Sequence, residues 1–170
     1  MGLNPLPSKV RVMIAVWPWG TYLGDEGLLN GVKAKTSSWV RIGTNMIPTG
    51  TKACGVYINS SLATVEALNA GYDEAILLNE HGQVAEGSGE NVFIVQDGVL
   101  LTPPLSAGVL RGITRDTVIE FARDLDIRSR RPTYCGRTST WPTRRSTPAR
   151  PPRSCRSGAA TTARSGPPVR

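Results

Sequence analysis

Glu86-Gly-Ser-Gly-Glu-Asn-Val-Phe93, followed by Leu100-Leu-Thr102 and Leu110-Arg-Gly-Ile-Thr-Arg115, decides the reading of this chain. Upstream stands Lys52-Ala-Cys-Gly-Val-Tyr57. Together they supply an amine, a carboxylate set between glycine turns, and a Gly-Ile-Thr step that opens a helix. A desolvated lysine loses its proton readily and becomes competent for Schiff-base chemistry. A carboxylate facing a pyridine nitrogen keeps it protonated and makes the ring an electron sink. Backbone N–H groups at a helix start, joined by a hydroxyl, form an anion site. The set suits a phosphate-bearing aldehyde. Each member also has an ordinary reading: Lys52 as a solvated surface residue, Glu86 as a charged strand end with turn glycines at Gly87 and Gly89, Thr114 as a helix cap.

Outward from that stretch, the hydrophobic spacing predicts the elements that carry it. Ala53 to Leu68 reads as a helix with Ile58, Leu62, Val65 and Leu68 on its apolar face, stopped by Gly71. Ala75–Leu78 and Gln83–Ala85 form one expected hairpin. Asn91–Val95 and Val99–Thr102 form another, turned by Asp97-Gly98 and closed by Pro103-Pro104. Thr114 to Leu125 reads as a second helix, with Val118, Phe121, Ala122 and Leu125 inward and a cap at Gly112 or Thr114. Nearer the start, Arg11–Trp17 fits a buried strand ending at Pro18, and Val32–Val40 a second strand.

The formal charge of +7 over 170 residues is unevenly spread. Residues 1–127 hold nine Lys or Arg against thirteen acids, whereas residues 128–170 hold eleven Arg, no Lys and no acid. The body is therefore mildly acidic. The tail has no Leu, Ile, Phe or Met and seven of the thirteen prolines, too little apolar surface to offset its ordering entropy, so disorder is expected there. An Arg-rich tail could bind nucleic acid, but beyond Tyr134 and Trp141 it has no aromatic interleaving and no reading motif. No nucleic-acid partner is expected. No run approaches a membrane span, and Met1-Gly-Leu-Asn-Pro lacks the pattern of a secretory signal. Three cysteines without paired spacing and one histidine give no metal site, and Cys54 reads as a small core residue. The default compartment is a reducing cytoplasm.

The order Glu-x-Ser-x-x-Asn-Val-Phe, six residues, Leu-x-Thr, seven residues, Leu-x-Gly-Ile-x-Arg closely resembles the signature of class IV pyridoxal-phosphate aminotransferases. Pro18-Trp-Gly-Thr-Tyr-Leu-Gly24, Ser37-Ser-Trp39 and Leu100-Leu-Thr-Pro-Pro104 look like the branched-chain amino-acid branch, with the likeness running from Gly2 to Ile127. D-amino-acid aminotransferases and aminodeoxychorismate lyases share the lysine and glutamate but match the flanks less well. The resemblance implies an α/β (α+β) fold: part of the large domain of a fold-type IV enzyme over residues 1–127, then the tail over 128–170.

It also implies pyridoxal 5′-phosphate as cofactor and amino acid and 2-oxo acid substrates (leucine, isoleucine or valine with 2-oxoglutarate), in a homo-oligomeric parent family. Lys52 would be the Schiff-base lysine, moving the proton between the substrate α-carbon and cofactor C4′. Tyr57 would bond the ring's phenolic oxygen, Glu86 the pyridine nitrogen, and Ile113 (backbone) and Thr114 the phosphate. Val56 stands where many relatives carry a polar residue, usually Asn.

Family members begin with a smaller domain that supplies a phosphate-binding arginine, and Met1 resembles a point inside the large domain. Reading GC-rich codons for Thr140–Arg156 one base earlier gives Tyr-Leu-Ala-Asp-Glu-Ala-Phe-Tyr-Thr-Gly-Thr-Ala-Ala-Glu-Val-Val-Pro. That string resembles the family's later Gly-Thr-Ala phosphate motif. The expectation is a truncated chain frameshifted near Ile127–Arg131, with negligible transamination of its own.

Overall fold

The computed structural model describes residues 3–20, 22–132 and, for their backbone, 162–163. A short helix α1 (Gly24–Asn30) leads into strand β1 (Ala34–Val40). Helix α2 (Cys54–Asn69) then crosses to strand β2 (Glu74–Leu78), which turns into β3 (Val84–Gly87). β1 and β2 are parallel, with Ala34 opposite Glu74, and β2 and β3 are antiparallel, with Leu77 opposite Glu86. Parallel neighbours need a crossover, and α2 is that crossover. A two-residue strand, β7 (Thr162–Ala163), borders β1 on its other side, so the sheet runs β3-β2-β1-β7.

A second sheet is built on the expected hairpin β4 (Ile94–Gln96) and β5 (Val99–Leu101). Asp97 and Gly98 both take positive φ, 50° and 71°, as a tight turn matched to strand twist requires. The chain then passes a 3₁₀ turn (Leu105–Ala107) and helix α3 (Ile113–Asp124), returning as β6 (Ser129–Arg130) parallel to β5. β6 and β7 thus lie beyond residue 127. The remaining tail expectations, including Cys135, Cys155 and the frame-shifted stretch, fall outside the described residues.

Two small clusters form the core. Ala63 and Ala67 of α2 pack on Ala75 and Leu77 of β2 with Tyr72 beside them, and Ala85, Ala107 and Val109 form the other. Alanines on the helix let its backbone lie close to the strands, and Leu77 is the one large side chain fully buried among the described residues. A Glu66 clamp reinforces this packing. From α2 its carboxylate takes a hydrogen bond from Ser37 Oγ (2.7 Å) and from the Ser38 N–H (2.9 Å), and pairs with Lys35, all on β1.

Four expectations need correction. Arg11–Trp17 forms no strand: Val12, Met13, Ile14 and Val16 are exposed, because no neighbouring strand edge receives the run. The inward face of α2 is Val56, Ser60, Ala63 and Ala67, while Ile58, Leu62, Val65 and Leu68 point to solvent. Both stripes have helical spacing, and the small one fits the narrow gap over the sheet. Phe121 and Leu125 of α3 are likewise exposed, and its inward positions are Arg115 and Ala122. Cys54 is an exposed free thiol at the first position of α2 rather than a core residue.

Candidate active site

The centre of the site is Glu86 on β3, only 5 % exposed. Its two oxygens are held from opposite sides. Oε1 receives Arg41 Nη2 at 2.6 Å, and Oε2 accepts the Leu110 N–H at 2.9 Å and Asn91 Nδ2 at 3.1 Å. Burial pushes the Glu86 carboxyl above its ordinary range. The Arg41 charge, the Leu110 N–H and Arg115 pull it back. With a guanidinium in direct contact and two N–H donors on the other oxygen, the geometry favours the ionised form.

Arg41 follows directly after β1 and is itself buried, with Nε donating to Gly108 O at 3.4 Å. Asn91 ties the Glu86 loop to the start of α3, since its Nδ2 also donates to Leu110 O at 3.0 Å. Gly112 is the N-cap of α3, and a Cβ there would fall on Asn91 Oδ1 well inside contact distance. The glycine is needed for close approach, not for an unusual φ, which is −73°.

Glu86, Arg41 and Asn91 line a small open cleft with Tyr57, Ser60 and Ser88 among its other walls. Tyr57 enters from α2 because Val56 is turned inward against the sheet, 2 % exposed, and the next residue faces the cleft. A buried carboxylate lining such a cleft can accept a hydrogen bond from, and stabilise, a protonated ring nitrogen. Val56 itself contributes packing.

The other residues singled out from the sequence stand apart from the cleft. Lys52 is exposed on the loop before α2, with Nζ 5.9 Å from the centre of the Tyr57 ring, so it keeps its water instead of being desolvated. Ile113 and Thr114 are exposed in the first turn of α3, where Gly112 provides the cap without a side-chain hydrogen bond. Glu86 and Tyr57 are thus brought together, Lys52 stands over Tyr57, and Ile113 and Thr114 lie beyond Asn91. Sequence reasoning missed Arg41 altogether. Its only local signal is a basic residue directly after the Ser37-Ser-Trp39 strand end. Asn91 was visible in the motif without a role. Among the described residues no helix is long and apolar enough to cross a membrane.

Residues 3–134 match the family model for amino-transferase class IV. The chain is 50 % identical over 131 residues to the branched-chain-amino-acid aminotransferase of Salmonella typhimurium, covering 76 % of this chain and 42 % of that protein. Its fold resembles the crystal structure of the Escherichia coli branched-chain amino acid aminotransferase, with a TM-score of 0.68 and 48 % identity over 69 % of this chain and 39 % of that one. The branched-chain amino acid aminotransferase from Thermobaculum terrenum, in its PLP-bound holo-form, gives 0.59 and 45 %, over 61 % and 34 %. A family model matched over most of the chain defines the class: the chain belongs to the class IV aminotransferase family. Its closeness to the branched-chain members reaches about half of the aligned residues, and it spans between a third and about two-fifths of their length.

Proposed function

We propose that the chain carries part of the large domain of a branched-chain amino-acid aminotransferase, over residues 1–127, followed by the Arg- and Pro-rich tail over residues 128–170. The activity of that parent enzyme is transfer of an amino group between a branched-chain amino acid and 2-oxoglutarate, and the fragment alone is expected to show negligible transamination. The observation that carries this reading is the Glu86 carboxylate, buried, paired with Arg41 and lining a cleft beside Tyr57. Its donor set fits the pyridine ring of pyridoxal 5′-phosphate. When bound, that cofactor supplies the electron sink that stabilises charge at the substrate α-carbon.

The chain's own residues have these roles. Glu86 holds the proton at the ring nitrogen, and Arg41 and the Leu110 N–H keep Glu86 ionised. Tyr57 bonds the ring's phenolic oxygen. Lys52 would hold the cofactor at its aldehyde and would carry the proton at the substrate α-carbon. The Ile113 N–H and Thr114 hydroxyl hold the phosphate at the positive end of α3. Cytoplasmic homo-oligomers are the expected setting.

Incubation with pyridoxal 5′-phosphate followed by borohydride reduction tests the assignment. Reduced cofactor is expected on the peptide containing Lys52 and absent from Lys52→Ala. Equal labelling of both would remove Lys52 from the site.

A further inference from the structure

Ser88 follows β3 directly, and the residue is 5 % exposed. Its N–H is fixed by Glu74 Oε1 at 3.1 Å, so the residue cannot swing out to water without breaking that contact. Its Oγ, in contrast, is buried with no hydrogen-bond partner in the protein. Two other side-chain atoms share that condition among the described residues, Asn59 Oδ1 and Arg115 Nε, and neither residue lines the cleft. Ser88 does, next to Glu86 and Tyr57. The groups that reach the Glu86 oxygens are Arg41, Asn91 and Leu110, and the Ser88 hydroxyl is not among them.

A buried hydroxyl without a partner carries its desolvation cost uncompensated, and a hydroxyl offers both a donor and acceptor lone pairs. Such a cost is recovered when a ligand supplies the missing atom. We infer that Ser88 is a ligand-contacting residue whose hydroxyl donates to an oxygen of the molecule held in the cleft. The inference rests on reading the cleft as the cofactor ring site. Two oxygens have the required chemistry: one on the cofactor ring, and one on the carboxylate of the amino-acid substrate.

The signature is a pair of effects of opposite sign. In the full chain without ligand, Ser88→Ala removes an unpaired buried hydroxyl, and the thermal midpoint is expected to stay level or rise. In a titration with pyridoxal 5′-phosphate followed by absorbance, the same variant is expected to bind about tenfold more weakly if the ring oxygen is the partner. If the substrate carboxylate is the partner, cofactor affinity holds and the tenfold loss appears when leucine is titrated into the cofactor-saturated chain. A fall in midpoint without ligand would show that Oγ already has a partner and overturn the inference. So would unchanged affinity in both titrations of a variant whose wild-type parent binds. If the wild-type chain takes up no cofactor, the reading of the cleft itself fails, and the role of Ser88 with it.

Discussion

Arg41 Nη2 lies 2.6 Å from Glu86 Oε1, and both side chains are almost wholly removed from solvent, 4 % and 6 % exposed. Arg41 follows β1 and Glu86 lies on β3, with β2 between them, so the pair staples the sheet behind the cleft. Removing one member leaves a buried charge unpaired, whereas replacing both with apolar groups of similar shape does not. Arg41→Ala is therefore expected to cost about 3–5 kcal/mol. The double variant Arg41→Met/Glu86→Leu should lose much less. Equilibrium urea unfolding of the two separates the cases; equal losses would mean the pair is not coupled.

The contact of Gly112 with Asn91 gives a second expectation. Adding a methyl group at Gly112 forces Asn91 Oδ1 aside and disturbs its bonds to Glu86 and Leu110. Gly112→Ala should destabilise by about 1–3 kcal/mol, the usual cost of overpacking. With Asn91→Ala already present, the same change should cost far less. Additive losses in this cycle would argue against the contact.

Glu66 sets an acid limb. Burial alone would raise its pKa. The bonds from Lys35, Ser37 and Ser38 outweigh that and bring it from 4.5 to about 2. The sign follows: the folded pKa is depressed, so the stabilisation is complete above pH 4.5 and is lost as pH falls towards 2. The contribution at neutral pH is at most about 3 kcal/mol. Denaturant midpoints measured from about pH 5 down to about pH 2 should fall less steeply for Glu66→Gln than for the parent chain. Parallel curves would exclude the clamp as their source.

The two stripes of α2 can be told apart by substitution. Ala63, fully buried against the sheet, should not accept a larger side chain, and Ala63→Leu is expected to lose about 1–3 kcal/mol. Ile58→Gln, on the exposed stripe, should stay within about 0.5 kcal/mol of the parent. Thermal midpoints of the two decide which face is inward, and the reverse order would restore the face read from sequence.

Much of this frame is legible in the chain, and the failures have a common cause. The Asp97-Gly98 hairpin and the span of α2 follow from local chemistry: a pair that tolerates positive φ, and apolar residues recurring at helical spacing. Which side of α2 turns inward does not follow, because Val56-Ser60-Ala63-Ala67 recurs as regularly as Ile58-Leu62-Val65-Leu68. The gap over the sheet chooses the smaller set. Arg11–Trp17 looks like a strand because its residues are apolar, but a strand is made by its neighbour. The carboxylate at Glu86 could be read from its glycines. Its partner Arg41 could not, since nothing near position 41 records what the strand β3 will bring against it.

The parallel pairing of β1 with β2 also sets an order of events. The hairpins β2–β3 and β4–β5 close over short turns, whereas Ala34 meets Glu74 only after the whole of α2 has been laid between them. Closing so long a loop must be met in entropy before the strands return a single hydrogen bond. Arg41 reaches Glu86 only when that closure is done. A refolding chain is therefore expected to protect its hairpin amides first in pulsed hydrogen exchange, and to acquire a place for a ligand last of all.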